Sequence, residues 1–400
     1  MKSLPVWHHQ HLFIGISLFV ILVFMLAACS LPGTAGTTQT AAHGTATTST
    51  STTATVSSTP GIKLGTQPCP EAVKDPKHWD PIVGTQAGTS KVESVTCATL
   101  IGIPKLQALI MVRNQGTGAI LDVYMYNNIT DPSPQQLFKL QGLTKGDAKI
   151  SGYNTLLTAE VDPNSSINRN QSNASLTLDL FREFKWSDGA GTLVPISFAG
   201  IFPDLTRYQA ETDQAQVNQG HQPWKLDPGL TANALAVNLL KWSANAQTTV
   251  ISGGTSHDTN AVVQVKSTNP GGSTIKVTLG RLEGNTNGGI WEATGVTADG
   301  MSITNPQNQD RLTSPTTVSG TGNAFEGKIG TVMVLDHLYN DIGHADAKGA
   351  IGNGNTSFNT PVTYTSTFKG GAQEGVVALY TYSNADGSIA AAVMVKELLS

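Results

Sequence analysis

At 400 residues the chain is long enough for two or three domains with real cores. Charged side chains make up 13% of it, about half the ~25% usual in soluble domains, and 24 basic against 28 acidic residues leave a net charge of -4. No run of Lys or Arg offers a stripe for phosphates, which excludes nucleic acid as a partner, and a hydrophobic content of 39% excludes a disordered acidic chain.

Lys2 is the only Lys, Arg, Asp or Glu before Cys29, and it precedes an apolar run over 12–28 interrupted only by Gly15 and Ser17. This is the layout of an export signal, expected over 1–28. The run ends in Leu26, Ala27, Ala28 and Cys29, which resembles the lipobox of bacterial lipoproteins. That resemblance implies cleavage before Cys29, whose thiol would receive diacylglycerol. Acyl chains such as palmitate would then hold the protein on the extracytoplasmic face of the cell membrane, with the membrane as its first partner. An uncleaved membrane helix is the alternative, since about seventeen residues at 1.5 Å rise come close to spanning a ~30 Å hydrocarbon core. From Gly33 to Gly61 the chain is almost entirely Thr, Ala, Ser and Gly without one charge. Such a stretch buries too little to offset its ordering entropy, so 29–62 is expected to be a flexible stalk with a reach of about 30 Å.

Cys69 and Cys97 are the remaining thiols, 28 positions apart and in an oxidising compartment, and they are expected to pair. The chain-entropy argument gives such a loop about 3.6 kcal/mol. Neither a CxxC nor a second Cys/His pair at ligand spacing accompanies them.

The pattern predicts a β-rich domain over 63–222, stapled by that bridge. Strands are expected over 108–113, 120–126, 136–143, 149–161, 176–184 and 193–202, forming an antiparallel meander or sandwich closed by a helix over 204–219. A small α+β domain over 223–304 follows, in which Asp227 and Pro228 start a helix. That helix would lie on a meander of strands at 261–266, 274–282 and 289–297. Trp242 and Trp291 are core candidates, with a ligand-binding opening as their alternative role. Over 305–400 short alternating strands recur with turns about every ten residues, as in an Ig-like β-sandwich. The fold class is therefore mainly β and multidomain.

The last segment also carries a family resemblance. Ser314–Gly320 (SPTTVSG), Ala324–Gly327 (AFEG), Phe358 before Pro361, Val362 and Thr363, and the NADGS turn at Asn384–Ser388 resemble the immunoglobulin-like domain of bacterial spore-germination and sporulation proteins. The resemblance implies an exported or wall-associated protein. The chain departs from the family between Asp336 and Ala350, where a short charged turn is replaced by a longer stretch containing two histidines.

Asp336, His337, Asp341, His344 and Asp346 are the densest group of potential metal ligands, three of which an exposed loop could bring together; the family resemblance implies instead two strand ends and a turn, which would send the histidines to opposite faces. Ser256, His257 and Asp258 are triad residue types, but adjacent residues do not converge as a triad must. Asp179 and Glu183 read as ordinary exposed acids, and the Asn/Ser-rich stretch from Asn164 to Asn173 reads as a turn. With no GxSxG, HExxH, SxxK or Walker sequence, no enzyme, cofactor or metal is expected. The expected role is non-catalytic binding or scaffolding at the cell envelope, toward a wall polymer or envelope protein. The alternatives are a lipid-anchored hydrolase of wall glycan, with the Ig-like unit as its targeting module, and a small-ligand receptor using Trp242 and Trp291.

Overall fold

The computed structural model describes residues 65–400 except 103, 117, 285–287, 351–353 and 369. The export signal, Cys29 and the stalk lie outside the described residues. The fold is mainly β, and 62–400 forms one compact unit.

Its first part is a sandwich of two antiparallel meanders. In chain order the elements are β1 (Thr66–Gln67), α1 (Pro76–Val83), β2 (Ser90–Ala98), β3 (Gln107–Asn114), β4 (Leu121–Asn127), β5 (Gln135–Leu143), β6 (Asp147–Ile150), β7 (Leu156–Glu160), β8 (Leu180–Ser187) and β9 (Thr192–Ile196). One sheet runs β1-β2-β3-β4-β5 and the other β6-β7-β8-β9. Leu109, Leu121, Val123, Met125 and Leu143 meet Leu156, Phe184 and Leu193 between the sheets. The opposite face of the first sheet is also apolar, with Ala108, Ile110, Val112, Tyr124 and Tyr126 on it, so it needs its own cover. That cover is α1, whose Trp79 is fully buried and donates its indole N–H to Val73 O at 2.7 Å. Cys69 and Cys97 form a disulfide with Cα atoms 5.2 Å apart, tying the chain before α1 to β2.

Three differences from the sequence reading have local causes. The expected strand over 149–161 is two strands, because the Ser151 hydroxyl accepts from the Tyr153 and Thr155 amides and Asn154 takes φ 57° in the turn between them. The strand expected to reach 202 stops at Ile196, because Ser197 Oγ and Phe198 N both donate to the Glu374 carboxylate, at 2.8 Å each. Asp179 and Glu183 are buried rather than exposed. Asp179 accepts from the Asp162 amide at 2.8 Å, and Glu183 accepts from Arg207 Nε at 2.8 Å and from the Thr155 hydroxyl at 2.6 Å.

The second part follows as α2 (Arg207–Asn218), α3 (Pro228–Leu239), β10 (Gln247–Gly253), β11 (Asn260–Lys266), β12 (Thr274–Gly280), β13 (Glu292–Ala298), β14 (Ser302–Asn305), β15 (Asp310–Leu312), β16 (Thr316–Asn323), β17 (Lys328–Leu335), β18 (Asp341–Lys348), β19 (Asn355–Val362), β20 (Gln373–Tyr382) and β21 (Ile389–Leu399). Asp227 caps α3, accepting from Leu230 N at 2.9 Å. A nine-stranded sheet runs β10-β11-β12-β13-β21-β20-β17-β18, with β15 parallel to β21. It crosses position 304 without a break, joining β13 to β21 where Val296 faces Met394.

The reason is the two-sided apolar pattern of β20 and β21. Val376, Ala378, Tyr380 and Met394 join one core with Leu235, Ala236, Trp242, Val263, Val277 and Trp291, under α3. Val377, Leu379 and Val393 face the other way, onto the three-stranded sheet β14-β16-β19, and close the Ig-like sandwich with Val318, Val332, Phe358 and Val362. The family-like motifs are turns and close approaches in this sandwich. Glu326 and Gly327 both take positive φ between Phe325 and Lys328, which exchange backbone hydrogen bonds as in a type I′ hairpin. A Cβ on Gly320 would lie 1.9 Å from Ser302 O and 2.8 Å from the Phe358 ring, so only glycine lets β14 and Phe358 close on β16. In the NADGS turn Asp386 Oδ1 accepts from Ser388 N at 3.1 Å and Oγ at 2.8 Å.

Candidate binding cleft

Helix α3 has 12 residues, about 18 Å of length, too short to cover the whole face of the large sheet. Past its C-terminal end, the face made by β20, β17 and β18 is left open as a cleft of about 590 Å³. Leu239, Met333, Leu335, Tyr380, Ile389 and Phe202 give it an apolar floor, and Asn238, Lys241, Asn340 and Asp341 give it a polar rim. This size and polarity suit a small ligand or one segment of a polymer.

The walls are fixed from behind. Tyr339 donates its hydroxyl to Ile201 O at 2.8 Å, and burial, with the Asp204 carboxylate adding to it, pushes its pKa well above the usual phenol value. It therefore remains a neutral donor. Asn340 donates to both Asp336 oxygens at 3.2 and 3.0 Å, and its amide also reaches Ser166 Oγ at 3.1 Å. Behind Phe202, Lys225 pairs with Asp204 at 3.3 Å and with Asp213, while the Asp204 amide donates to Glu292 at 3.2 Å. Burial, then the adjacent Asp204 carboxylate, raises Glu292 well above the ordinary carboxyl range. Lys396 Nζ donates to Leu205 O at 2.5 Å and pairs with Glu374 at 3.4 Å, pinning the 197–206 connection to the Ig-like sheet.

Of the residues singled out in the sequence, Asp341 is in the cleft rim, with His344 Nδ1 2.7 Å from its Oδ2. His337 is buried elsewhere, against Gln373 Oε1 at 3.0 Å and 3.6 Å from Asp179 Oδ2. The β17–β18 hairpin thus separates the two histidines, and among the described residues no three His, Cys, Asp or Glu side chains gather around a common point. Trp242 and Trp291 are both core residues. Trp242 donates its indole N–H to Ile389 O at 2.7 Å, and Trp291 is stacked under the Arg281 guanidinium at 4.2 Å. Neither lines the cleft, which corrects the ligand-binding alternative for them. Asp258 caps its own turn through Thr255 N at 2.9 Å and Oγ1 at 2.7 Å rather than serving His257. Asn168 folds the Asn-rich stretch by bonding both the amide and the carbonyl of Thr177.

Sequence reasoning missed Lys241, Leu338, Tyr339 and Tyr380 as cleft residues. The signal available for two of them was position: Leu338 and Tyr339 lie in the stretch 336–350 that departs from the family pattern. Residues 301–388 match the Gmad2 family model, described as "Immunoglobulin-like domain of bacterial spore germination". The spore-germination Ig-like domain therefore supplies half of the cleft floor, from Met333, Leu335 and Tyr380, while α3 supplies Leu239 and the 197–206 connection supplies Phe202. No curated protein matches the chain in sequence. No helix among the described residues is long and apolar enough to cross a membrane.

Proposed function

We propose that the chain is a lipid-anchored protein on the extracytoplasmic face of a bacterial membrane, with a non-catalytic binding role in the envelope linked to sporulation or germination. Cys29 is the anchor in this reading, by its resemblance to a lipobox, and residues 29–62 are the spacer. The occupant of the cleft is a wall polymer or an envelope protein. The observation that carries the binding role is the cleft itself: a large apolar floor on the Ig-like sheet, ringed by amides and single charges, is surface that a ligand gains by covering. The hydrolase alternative draws no support from Asp179 and Glu183, which are committed to the Asp162 amide and to Arg207.

The test is capture from a sporulating cell's envelope extract with residues 62–400 as bait, beside a Leu239→Glu bait that melts at the same temperature. Retention by the first and at least tenfold weaker retention by the second is expected. Equal retention by both would overturn the assignment of binding to this cleft.

A further inference from the structure

The nine-stranded sheet has two ends, and they are built differently. At one end β18 carries Asp341, His344, Asp346 and Lys348, charges of the kind that keep an edge from pairing. Its outer side is also occupied, since Thr365 N donates to Ile342 O at 3.0 Å and a Cβ on Gly343 would lie 2.3 Å from Thr363 O. At the other end β10, QTTVISG, is exposed at every position and contains neither charge nor proline. Val250 and Ile251 are 45% and 48% exposed, and Leu230 at the start of α3 is 54% exposed. Apart from a bulge between Val250 and Ser252, this is a long uncharged edge rich in β-branched residues, with one side of its backbone unpaired among the described residues, which native sheets ordinarily avoid.

We infer that β10 is a self-pairing edge, against which a second copy of this chain lays its own β10 antiparallel across a two-fold axis, joining two nine-stranded sheets into one. Three observations select a second copy as the occupant. At the two-fold axis a residue meets its own counterpart, so a charge near the middle of β10 would meet its like, and β10 has none. The ends are complementary: Lys266 lies opposite Gln247 at one end of β10, and Asp258 lies in the turn at the other. Antiparallel pairing brings the Lys266 end of one copy to the Asp258 end of the other, while parallel pairing would set like against like. Finally, with β18 closed and β10 open, the sheet can add one copy and no more, so the pairing ends at a dimer instead of a filament.

Sedimentation equilibrium of residues 62–400, which hold every core described above, tests this over concentrations up to about 100 μM, the range of a moderate self-affinity. A dimer is expected for the natural sequence. A Val250→Lys, Ile251→Lys double variant, altered only at exposed positions, is expected to stay monomeric with its melting temperature unchanged. A natural chain that remains monomeric throughout, or a double variant that still dimerises, overturns the inference. Single cysteines placed in turn at 248, 249, 250 and 252 give a second reading. Only a position on the two-fold axis brings Cα atoms within about 5.5 Å of each other. One strongly cross-linking position flanked by poor ones is therefore expected, and a dimer that cross-links at none of them contradicts the β10 interface. The cleft lies at the opposite end of the sheet, so failure here leaves the proposed binding role untouched.

Discussion

Glu397 on β21 shows how a single residue's surroundings set its charge. Burial, reinforced by the nearby Asp310 carboxylate, pushes its pKa from 4.5 up to about 9, against the opposing pull of Lys396. The folded protein thus holds a proton that the unfolded chain gives up above its ordinary pKa. The resulting stabilisation is complete below pH 4.5 and is lost as pH rises toward about 9. Glu397→Gln removes this dependence. Its melting temperature is expected to gain on that of the natural sequence steadily between mildly acidic and alkaline pH, and parallel curves would contradict the assignment. Such sites were not legible in the sequence. Asp179, Glu183 and Glu397 are ordinary acids by type, and only the fold buries them against Asp162, Arg207 and Asp310.

At the scale of elements, strands with clean alternation were legible, and so was α3, which begins one residue after its Asp227 cap. The stretch from Cys69 to Cys97 was not. Its β2 carries a bulge between Val92 and Ser94 that breaks the two-residue period, and α1 is a helix of only 8 residues with Pro81 inside it. Two consequences can be measured. Asp227→Ala leaves the Leu230 amide uncapped and is expected to cost about 1 kcal/mol, read from chemical denaturation; an unchanged midpoint would show that water caps α3 equally well. Reduction of Cys69–Cys97 is expected to cost about 3.6 kcal/mol and to expose Trp79, which is packed beneath the bridged segment. A red shift of tryptophan emission at lower denaturant in the reduced protein is the readout. Coincident reduced and oxidised curves would mean that the bridge constrains nothing the fold does not already hold.

For the whole molecule, sequence patterning placed the Ig-like sandwich correctly but not what lies against it. Val376, Ala378 and Tyr380 alternate with Val377 and Leu379, and a strand apolar on both faces signals cover on both sides. That signal was in the sequence, and it implies that the Ig-like sheet is shared. Because α3, Trp242 and Trp291 pack on β20 and β21, a chain ending at 304 would bare one face of that core. Residues 223–304 alone are therefore expected to show no cooperative melting, and a sharp transition would refute the shared core. The cleft was illegible for the same reason, since it exists only where α3 stops short of a sheet that sequence reading assigned to another domain.

The most direct test of the binding cleft is amide hydrogen exchange of residues 62–400 with and without the envelope fraction they retain. Slowed exchange is expected in two separated segments, 238–241 at the end of α3 and 333–341 across the β17–β18 turn. Protection confined to the first sandwich, with those two segments unchanged, would contradict it.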